Sequence, residues 1–375
     1  MKSVCKHNST VLKRWRSAVP SWLSLSTLLV VTTPVNGAGL WLYEQGTPDL
    51  GTASAGRAAL AVSAATAGGN PAGMTRLSQS ELMVGVQPLY VKSEFDVEAA
   101  EFGEGDGGNA GGWVPAASVS YVHSVSTDLK LGVSAASYFG LGLDFGESWA
   151  GRYYVTEAEL LTFAINPTIG YRVNERFSVG AGVSLIYSQL TQKAAINNPG
   201  PGITDGELKL KDDDVSYGFN LGALLEPTNG TRFGMTYRSK VDLEYKDAVS
   251  LKELGTVLGA IFSGGKKVDL EMNMPQAVML SAYHELDDRL AVVSNLGWQD
   301  WSEFGKSDIV VKNSTGSTEL TSDRNFDDTW HAAIGLRYRL SAPWMIMTGF
   351  AYDSSPVDDD DRTPDLALDR QLRYA

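Results

Sequence analysis

The feature that most constrains this chain is a long, repeated alternation of apolar with polar or small residues. From Leu161 to Val173 the odd positions are apolar, Pro167 included, and the even positions are Thr, Ala, Asn, Gly and Arg. Side chains alternate across a strand, so such a segment has one apolar face and one polar face. The pattern returns at 177–188, 214–225, 233–245, 330–340 and 344–352. The alternation therefore predicts an all-β chain.

Strand length and loop pattern distinguish a membrane barrel from a soluble β-sandwich, which also alternates. The predicted strands approach the ~9–11 residues that a tilted strand needs to cross a bilayer. Short turns alternate with long polar loops at 95–112, 193–213, 247–267 and 314–327, and aromatic residues cluster at strand ends. After residue 37 no apolar run approaches the ~20 residues of a membrane helix. We therefore predict a transmembrane antiparallel β-barrel.

The first 37 residues have the layout of a secretory signal peptide. They carry five basic residues and no acidic one, then an apolar stretch from about Ala18 to Val31, then small residues before a cleavage site near Gly37. A single anchor helix is the alternative, but the stretch is short and Pro20 interrupts it. The one cysteine, Cys5, lies in this segment, so the mature chain is predicted to have no disulfide, thiolate metal site or lipidated cysteine.

Charge and motifs argue against nucleic-acid binding and against catalysis. The net charge is −13, and loss of the five basic residues makes the mature chain more acidic still. No Gly-x-Ser-x-Gly or phosphate loop is present, and His284-Glu285 lacks the second histidine of a zinc helix. We interpret His331 as a lumen or rim residue and Asp358–Asp361 as a solvated loop. The alternatives are a catalytic histidine and a site for divalent cations that bridge anionic lipids outside. The chain is predicted to be no enzyme and to need no cofactor or metal.

The strand count suggests an incomplete barrel. From Ser80 onward we count about twelve strands and the start of another at Gln371–Ala375. Bacterial barrels usually have an even number of strands, and a barrel must close to leave no unpaired edge. We therefore expect the barrel region, residues 78–375, to be truncated at its C-terminal end.

Residues 38–77 precede the first strand and do not alternate. They are rich in Gly and Ala, which permit close packing in a confined space, so we expect a plug inside the lumen. A flexible periplasmic tail is the alternative. The segment ends in the motif Asn70, Pro71, Ala72 and Gly73, which leads through Met74 into the first strand.

Short motifs follow one another along the whole mature chain. They are Ala38–Leu40, Glu44, Leu50–Ala59, Asn70–Met74, Trp149–Tyr153, Asn166-Pro167, Tyr237–Lys240, Trp298, Trp301, Ser302, Phe304, Tyr352–Pro356 and Arg362–Asp365. In this order they resemble the FadL-type family of outer-membrane transporters for long-chain fatty acids and other hydrophobic compounds. The resemblance implies 14 strands and an N-terminal hatch that fills the barrel. Val62–Ala64 stands where members often carry acidic residues, so the polar contacts of this hatch are expected to differ.

The resemblance also implies a location and a function. A FadL-type protein lies in the outer membrane of a Gram-negative bacterium and captures a hydrophobic molecule at an extracellular apolar groove. The hatch then rearranges, and the substrate leaves sideways where the third strand kinks. Long-chain fatty acids are the favoured substrate; aromatic hydrocarbons and, less favoured, general diffusion as in a porin remain open. The expected partners are the substrate, outer-membrane lipid and lipopolysaccharide, with the protein as a monomer.

Three further groups of residues are candidate sites. Glycines weaken a strand interior, so three of them mark the candidate lateral-gate kink: Gly140, Gly142 and Gly146. Apolar residues at near-helical spacing in a long loop mark the candidate substrate groove: Leu251, Leu254, Leu258, Ile261 and Phe262. Charged residues on one strand face predict a lumen polar network: Arg238, Lys240, Asp242 and Glu244. The alternatives are a strand ending at a glycine-rich outer loop, a loop that packs on itself, and a network that guides a substrate headgroup.

Overall fold

A computed structural model describes residues 40–43, 45–97, 105–200, 203–246, 249–262, 267–313 and 316–375. The predicted signal peptide, residues 1–37, lies outside these ranges. The described chain is dominated by antiparallel strands, as the alternation predicts. They are β1 Glu81–Val91, β2 Gly112–Ser124, β3 Leu129–Ala136, β4 Gly140–Asp144, β5 Glu157–Asn174, β6 Phe177–Ile196, β7 Gly206–Thr228, β8 Thr231–Arg238, β9 Val241–Tyr245, β10 Val249–Lys252, β11 Lys267–Met274, β12 Ala277–Glu285, β13 Leu290–Gln299, β14 Lys306–Asn313, β15 Gly316–Asp323, β16 Thr329–Ser341, β17 Trp344–Asp353 and β18 Gln371–Tyr374.

Helices are short and few among the described residues. The α-helices are α1 Arg57–Leu60, α2 Thr66–Gly69, α3 Thr256–Phe262 and α4 Trp301–Phe304. Turns of 3-10 helix occur at Leu50–Thr52, Pro71–Arg76 and Asp359–Asp361. In the part of the chain that the structure describes, no helix has both the length and the apolar character needed to cross a bilayer.

The main sheet forms a barrel wall in which each strand pairs antiparallel with its neighbours. Its order is β1-β2-β3-β5-β6-β7-β8-β12-β13-β16-β17-β18. Outside this order, β4 pairs with β5 and β10 pairs with β7. The path holds twelve strands including the partial strand β18, one fewer than the sequence count. Lys306–Asp323 folds into a second sheet and adds no strand to the wall.

The wall has its apolar face outside and its polar face inside. Val86, Trp113 and Tyr217 are each at least 70% exposed on the outer face, whereas Asn166 and Ser188 are buried on the inner face. A continuous outward apolar band is unfavourable in water and favourable in lipid. Along β5, from Leu160 to Tyr171, the residues at even positions are buried and those at odd positions are exposed, as the sequence predicts. The fold is thus a transmembrane β-barrel rather than a sandwich.

Tight turns join the strands at one end of the wall, and long excursions leave the other end. β5, β6 and β7 run for 18, 20 and 23 residues, well beyond the ~9–11 that a bilayer needs. The segments 193–213, 247–267 and 314–327 are predicted as long polar loops, but each is partly strand. The excursions also build a second, four-stranded sheet in the order β15-β14-β11-β9. In outer-membrane barrels the long excursions face outward from the cell.

The segment Leu40–Leu77, here called the inner segment, lies on the concave side of the wall. It touches every wall strand from β1 to β17 at once, which requires the wall to curve around it. Contacting wall residues, one for each strand in turn, are Gly85, Ser118, Ser134, Gly170, Ser178, Gly222, Gly234, Ser281, Asn295, Gly335 and Gly349. The described residues thus place a Gly- and Ala-rich segment inside the barrel, where the sequence predicts a plug.

Candidate transport site

The Asn70-Pro71-Ala72-Gly73 motif is fully buried where the inner segment meets the wall. Asn70 Nδ2 donates hydrogen bonds to the carbonyl oxygens of Ala58 at 2.6 Å and Ala223 at 3.0 Å. Its Oδ1 accepts a hydrogen bond from Ala72 N at 3.1 Å, which caps the 3-10 helix that begins at Pro71. One amide therefore ties two parts of the inner segment to β7.

Two glycines of the wall make room for this motif. A Cβ atom added at Gly222 on β7 would lie 2.1 Å from Asn70 Oδ1, and one at Gly180 on β6 would lie 2.5 Å from Ala72 N. Real side chains do not approach so closely, so only glycine fits at either position. The match between motif and glycines fixes where the inner segment sits along the wall.

β3 and β4 are two parts of one wall strand, separated by Ser137–Phe139. On the neighbouring β5, Ala164 pairs with Ala136 of β3, and Leu161 pairs with Gly140 of β4. The chain therefore advances four residues from Ala136 to Gly140, while β5 advances only three between their partners. One extra residue against a neighbouring strand defines a β-bulge, which bends the strand and disrupts its ladder.

This break leaves an opening between β2 and β4, here called the lateral window. β2 pairs with β3 up to Ser118, and within the described residues Gly112–Ala117 pair with β1 alone. At the other end of the window, Asp144 N donates a hydrogen bond to Ala110 O at 2.8 Å. The unpaired stretch of β2 thus lies between two points where the neighbouring strands still touch.

The first residues of the inner segment supply backbone hydrogen bonds at the break. Trp41 forms an isolated antiparallel bridge with Phe139. On either side of it, Leu42 N donates to Tyr138 O at 2.9 Å and Gly140 N donates to Leu40 O at 2.8 Å. Unpaired backbone groups are costly in lipid, so these bonds stabilise the broken strand.

The three candidate kink glycines lie next to the break rather than in it. Gly140 and Gly142 belong to β4, and Gly146 follows β4 with a positive φ of 74°. A Cβ atom at Gly142 would meet nothing within 4 Å. The bend therefore begins at Ser137, before the glycines, and Gly142 has no packing reason to be glycine.

The extra residue reverses the faces of the strand and creates an apolar interior that the sequence reasoning missed. On β3 the inward side chains include Lys130 and Ser134, whereas on β4 they are Leu141 and Leu143. These leucines join a buried cluster at the outer end of the barrel with Leu40, Phe139, Phe145, Trp149, Leu160, Ile186, Leu243, Trp301 and Phe304 among its members. Phe139 lies 6.0 Å from Trp301 and 5.5 Å from Phe304 between ring centroids. The cluster, here called the apolar chamber, adjoins the lateral window.

The apolar chamber extends outward to the second sheet through Tyr245 of β9. Burial raises the pKa of the Tyr245 phenol, which therefore stays neutral. Its hydroxyl donates a hydrogen bond to Ser188 Oγ on β6 at 3.1 Å, so the polar tip is satisfied while the ring packs among apolar neighbours.

Of the candidate groove residues, Leu251 lies in β10, Leu254 lies between β10 and α3, and the other three lie in α3. Leu251 pairs with Leu208 of β7, and Leu254 and Leu258 are half-buried. Ile261 and Phe262 belong to α3, and their side chains lie outside the described ones. The described leucines form part of a surface rather than of the buried chamber.

The predicted lumen network of Arg238, Lys240, Asp242 and Glu244 is wrong. β8 ends at Arg238, and β9 begins at Val241 in the second sheet, so the alternation does not continue along one face. Arg238 points inward and its Nη2 donates to Gly68 O. Lys240, Asp242 and Glu244 are exposed on the outer side.

His331 is buried inside the barrel, where it makes packing and hydrogen-bond contacts with its neighbours. Its Nδ1 lies 2.9 Å from Asp353 Oδ1, and its ring stacks on Tyr43 with centroids 4.9 Å apart. Arg373 lies over the same tyrosine ring. Among the described residues there is no group of three or more His, Cys, Asp or Glu able to hold a metal ion.

Comparisons with known proteins agree with this architecture. The model of the family "Outer membrane protein transport protein (OMPP1/FadL/TodX)" matches residues 28–372. A "Long-chain fatty acid transport protein" of Escherichia coli O6:H1 is 28% identical over 385 residues, covering 92% of this chain and 85% of the relative.

Two solved structures have the same fold. The structure of a Pseudomonas aeruginosa FadL homologue has a TM-score of 0.75 at 23% identity, covering 89% of this chain and 85% of that one. The Pseudomonas putida toluene transporter TodX has a TM-score of 0.61 at 15% identity, covering 91% and 88%. Since the family model spans most of the sequence, this chain belongs to the OMPP1/FadL/TodX family of outer membrane transport proteins.

Proposed function

We propose that this protein, an outer-membrane transporter of hydrophobic compounds by its family, takes up long-chain fatty acids and releases them sideways through the lateral window. Substrate is captured outside near α3 and passes through the apolar chamber. The inner segment acts as the hatch and moves to let it pass. The protein works as a monomer, with outer-membrane lipid and lipopolysaccharide covering its apolar outer face. Family members are transporters or channels rather than enzymes.

The observation that carries the proposal is the lateral window itself. A closed barrel wall leaves an apolar molecule no sideways path, because every backbone group is paired with the next strand. Among the described residues, Gly112–Ala117 of β2 pair with β1 alone, and the inner segment, rather than a wall strand, takes up the hydrogen bonds of Tyr138 and Gly140. Contacts made by a movable segment can be broken without opening the barrel.

The energetics favour a lateral route for an alkyl chain. Moving each CH₂ group from water to an apolar environment is worth ~0.8 kcal/mol. A downward route would lead the chain past polar inner residues such as Ser178 and Arg172 around the hatch. A sideways route keeps it in the apolar chamber until it meets the lipid.

Uptake of aromatic hydrocarbons is the second candidate function. The rings of Trp41, Phe139, Trp301 and Phe304 contact one another in the apolar chamber, and stacked or edge-on rings suit an aromatic guest. General diffusion is less well supported, since the inner segment occupies the barrel interior.

Uptake of labelled oleate and labelled toluene tests the substrate class. The chain would be produced in a Gram-negative host whose own fatty acid transporter is deleted, with empty vector and equal outer-membrane levels as controls. We expect oleate uptake about tenfold above empty vector, a difference of ~1.4 kcal/mol in effective barrier, and toluene uptake near background. Toluene uptake without oleate uptake would favour the second candidate. Uptake of small sugars instead would favour a porin.

A further inference from the structure

Two prolines face each other across the first strand pair of the wall. Pro88 of β1 lies directly opposite Pro115 of β2, and both side chains are exposed on the outer face. Pro115 belongs to the stretch of β2 that borders the lateral window. A proline has no N–H to give to a strand ladder, so within a sheet it is confined to edges and interruptions. The direction of each proline nitrogen therefore decides which pairing it interrupts.

The register directs the nitrogen of Pro115 into the lateral window. In the continuation of the β1–β2 register Ser93 lies opposite Ala110, and Ala110 N donates to Ser93 O at 2.8 Å. Opposite residues of an antiparallel pair exchange hydrogen bonds only at every second position, so the even-numbered residues of β2 bond to β1. In the continuation of the β2–β3 register Val125 N donates to Leu129 O at 3.2 Å, so the odd-numbered residues point to the other side. Pro115 is odd-numbered and points away from β1.

The opposite border of the window presents a row of backbone groups in the same way. Phe145 N donates to Thr156 O at 2.8 Å, in the continuation of the β4–β5 register, so the odd-numbered residues of β4 bond to β5. Asp144 N points the other way and donates at 2.8 Å to the chain just before β2. Gly140 and Gly142 share the direction of Asp144. Closing the window would therefore bring this row against the odd-numbered residues of β2.

We propose that Pro115 keeps the lateral window open by removing the backbone donor at the middle of its β2 border. The inference rests on the proposed function and assigns a positioning residue to it. An N–H at this position would face lipid without a partner while the window is open, which is costly, and would gain a hydrogen bond when the window closes. The proline ring also occupies the place of the missing hydrogen and holds the two borders apart.

Pro88 offers a matched control in the same strand pair. The register that turns the nitrogen of Pro115 toward the window turns that of Pro88 away from β2. Replacing either proline by alanine removes one ring from the exposed outer face. Only the change at Pro115 adds a donor to the window.

Oleate uptake by the full-length protein, at equal outer-membrane levels, tests the proposal. We expect P115A to lower the initial rate by about threefold to tenfold, the effect of one added ladder hydrogen bond, and P88A to keep it within about twofold of the wild-type rate. The double variant P115A/A117P moves the missing donor two residues along the same border, since Ala117 is also odd-numbered and exposed. It should recover about half of the wild-type rate or more.

Amide hydrogen exchange of the protein in nanodiscs reports closure of the window without any substrate. Trp113 and Ala117 flank Pro115 on the border, and we expect their amides to exchange about threefold or more slowly in P115A than in the wild type. In P88A their exchange should be unchanged. Unchanged exchange in P115A, an equal fall of uptake in P88A, or no recovery in P115A/A117P would each overturn the role of Pro115.

The outcomes also separate this role from the proposed function. Slower exchange in P115A together with oleate uptake at the wild-type rate would reject release through the lateral window and leave the role of Pro115 in the wall standing. Unchanged exchange in P115A together with oleate uptake by the wild-type protein would reject the role of Pro115 alone.

Discussion

Deletion of residues 40–68 is expected to turn a closed barrel into an open pore, with single-channel conductance in planar bilayers about tenfold or more above that of the full-length protein. The inner segment fills the concave side of the wall and contacts every wall strand from β1 to β17. Removing it exposes inward-facing Ser, Thr and Asn side chains, which are polar enough to line a water-filled channel. The same change should let small polar solutes cross the outer membrane of intact cells.

A matched deletion separates this effect from general damage to the barrel. Asp359–Asp361 form an exposed 3-10 turn on the outer side, far from the inner segment in sequence, and their loss should leave conductance unchanged. Equal conductance of the full-length protein and the variant lacking 40–68 would contradict the assignment of the inner segment as the hatch. Heat-modifiable migration on gels would show that each variant is folded.

Deletion of Ser137 alone is expected to lower oleate uptake by about tenfold or more. The break between β3 and β4 contains one residue more than β5 can pair. Without it, Tyr138 and Phe139 fall opposite Phe163 and Thr162, and the ladder becomes continuous. The restored strand can then pair with Gly112–Ala117 of β2 and close the lateral window.

Deletion of Ser148 is the control for that experiment. It removes the same type of residue, but from the exposed loop that joins β4 to β5. Uptake should stay near the wild-type rate, and binding of oleate should persist in both deletions because capture occurs outside the window. Full uptake by the variant lacking Ser137, at equal outer-membrane levels, would place the exit elsewhere. G142V, which meets open space, is expected to have little effect.

Alternation predicted the strands and their two faces, because side-chain direction along a continuous strand follows from the two-residue repeat, and strand length with loop pattern predicted the barrel. The outward apolar residues of β5, from Leu161 to Tyr171, are exposed as the pattern requires. The composition of residues 38–77 likewise predicted a close-packed inner segment. These features depend on local sequence, which a single chain displays in full.

The errors arise where a strand is interrupted. Because of the extra residue at Ser137–Phe139, the side chains that the alternation of β3 would point outward point inward on β4. After β8 ends at Arg238, the inward and outward positions are likewise exchanged on β9. The register of a strand depends on how many of its residues pair with the neighbouring strand. That number cannot be read from the sequence of one segment. The apolar chamber and the exposed positions of Lys240, Asp242 and Glu244 both follow from such shifts. Both interruptions lie beside the candidate transport site.

The central claim, that substrate leaves through the lateral window when the inner segment moves, is tested most directly by a reversible cross-link. Trp41 and Phe139 form an antiparallel bridge flanked by hydrogen bonds, a pair type with Cα atoms about 4.5 Å apart. That separation suits a disulfide. The double variant W41C/F139C therefore pins the inner segment to the break.

The decisive measurement is the initial rate of labelled oleate uptake by cells producing W41C/F139C, before and after reduction of the disulfide. The single variants W41C and F139C control for loss of each aromatic ring. We predict uptake near background in the oxidised protein and recovery on reduction to the mean rate of the single variants. Equal uptake by the oxidised and reduced double variant would contradict lateral release through this window.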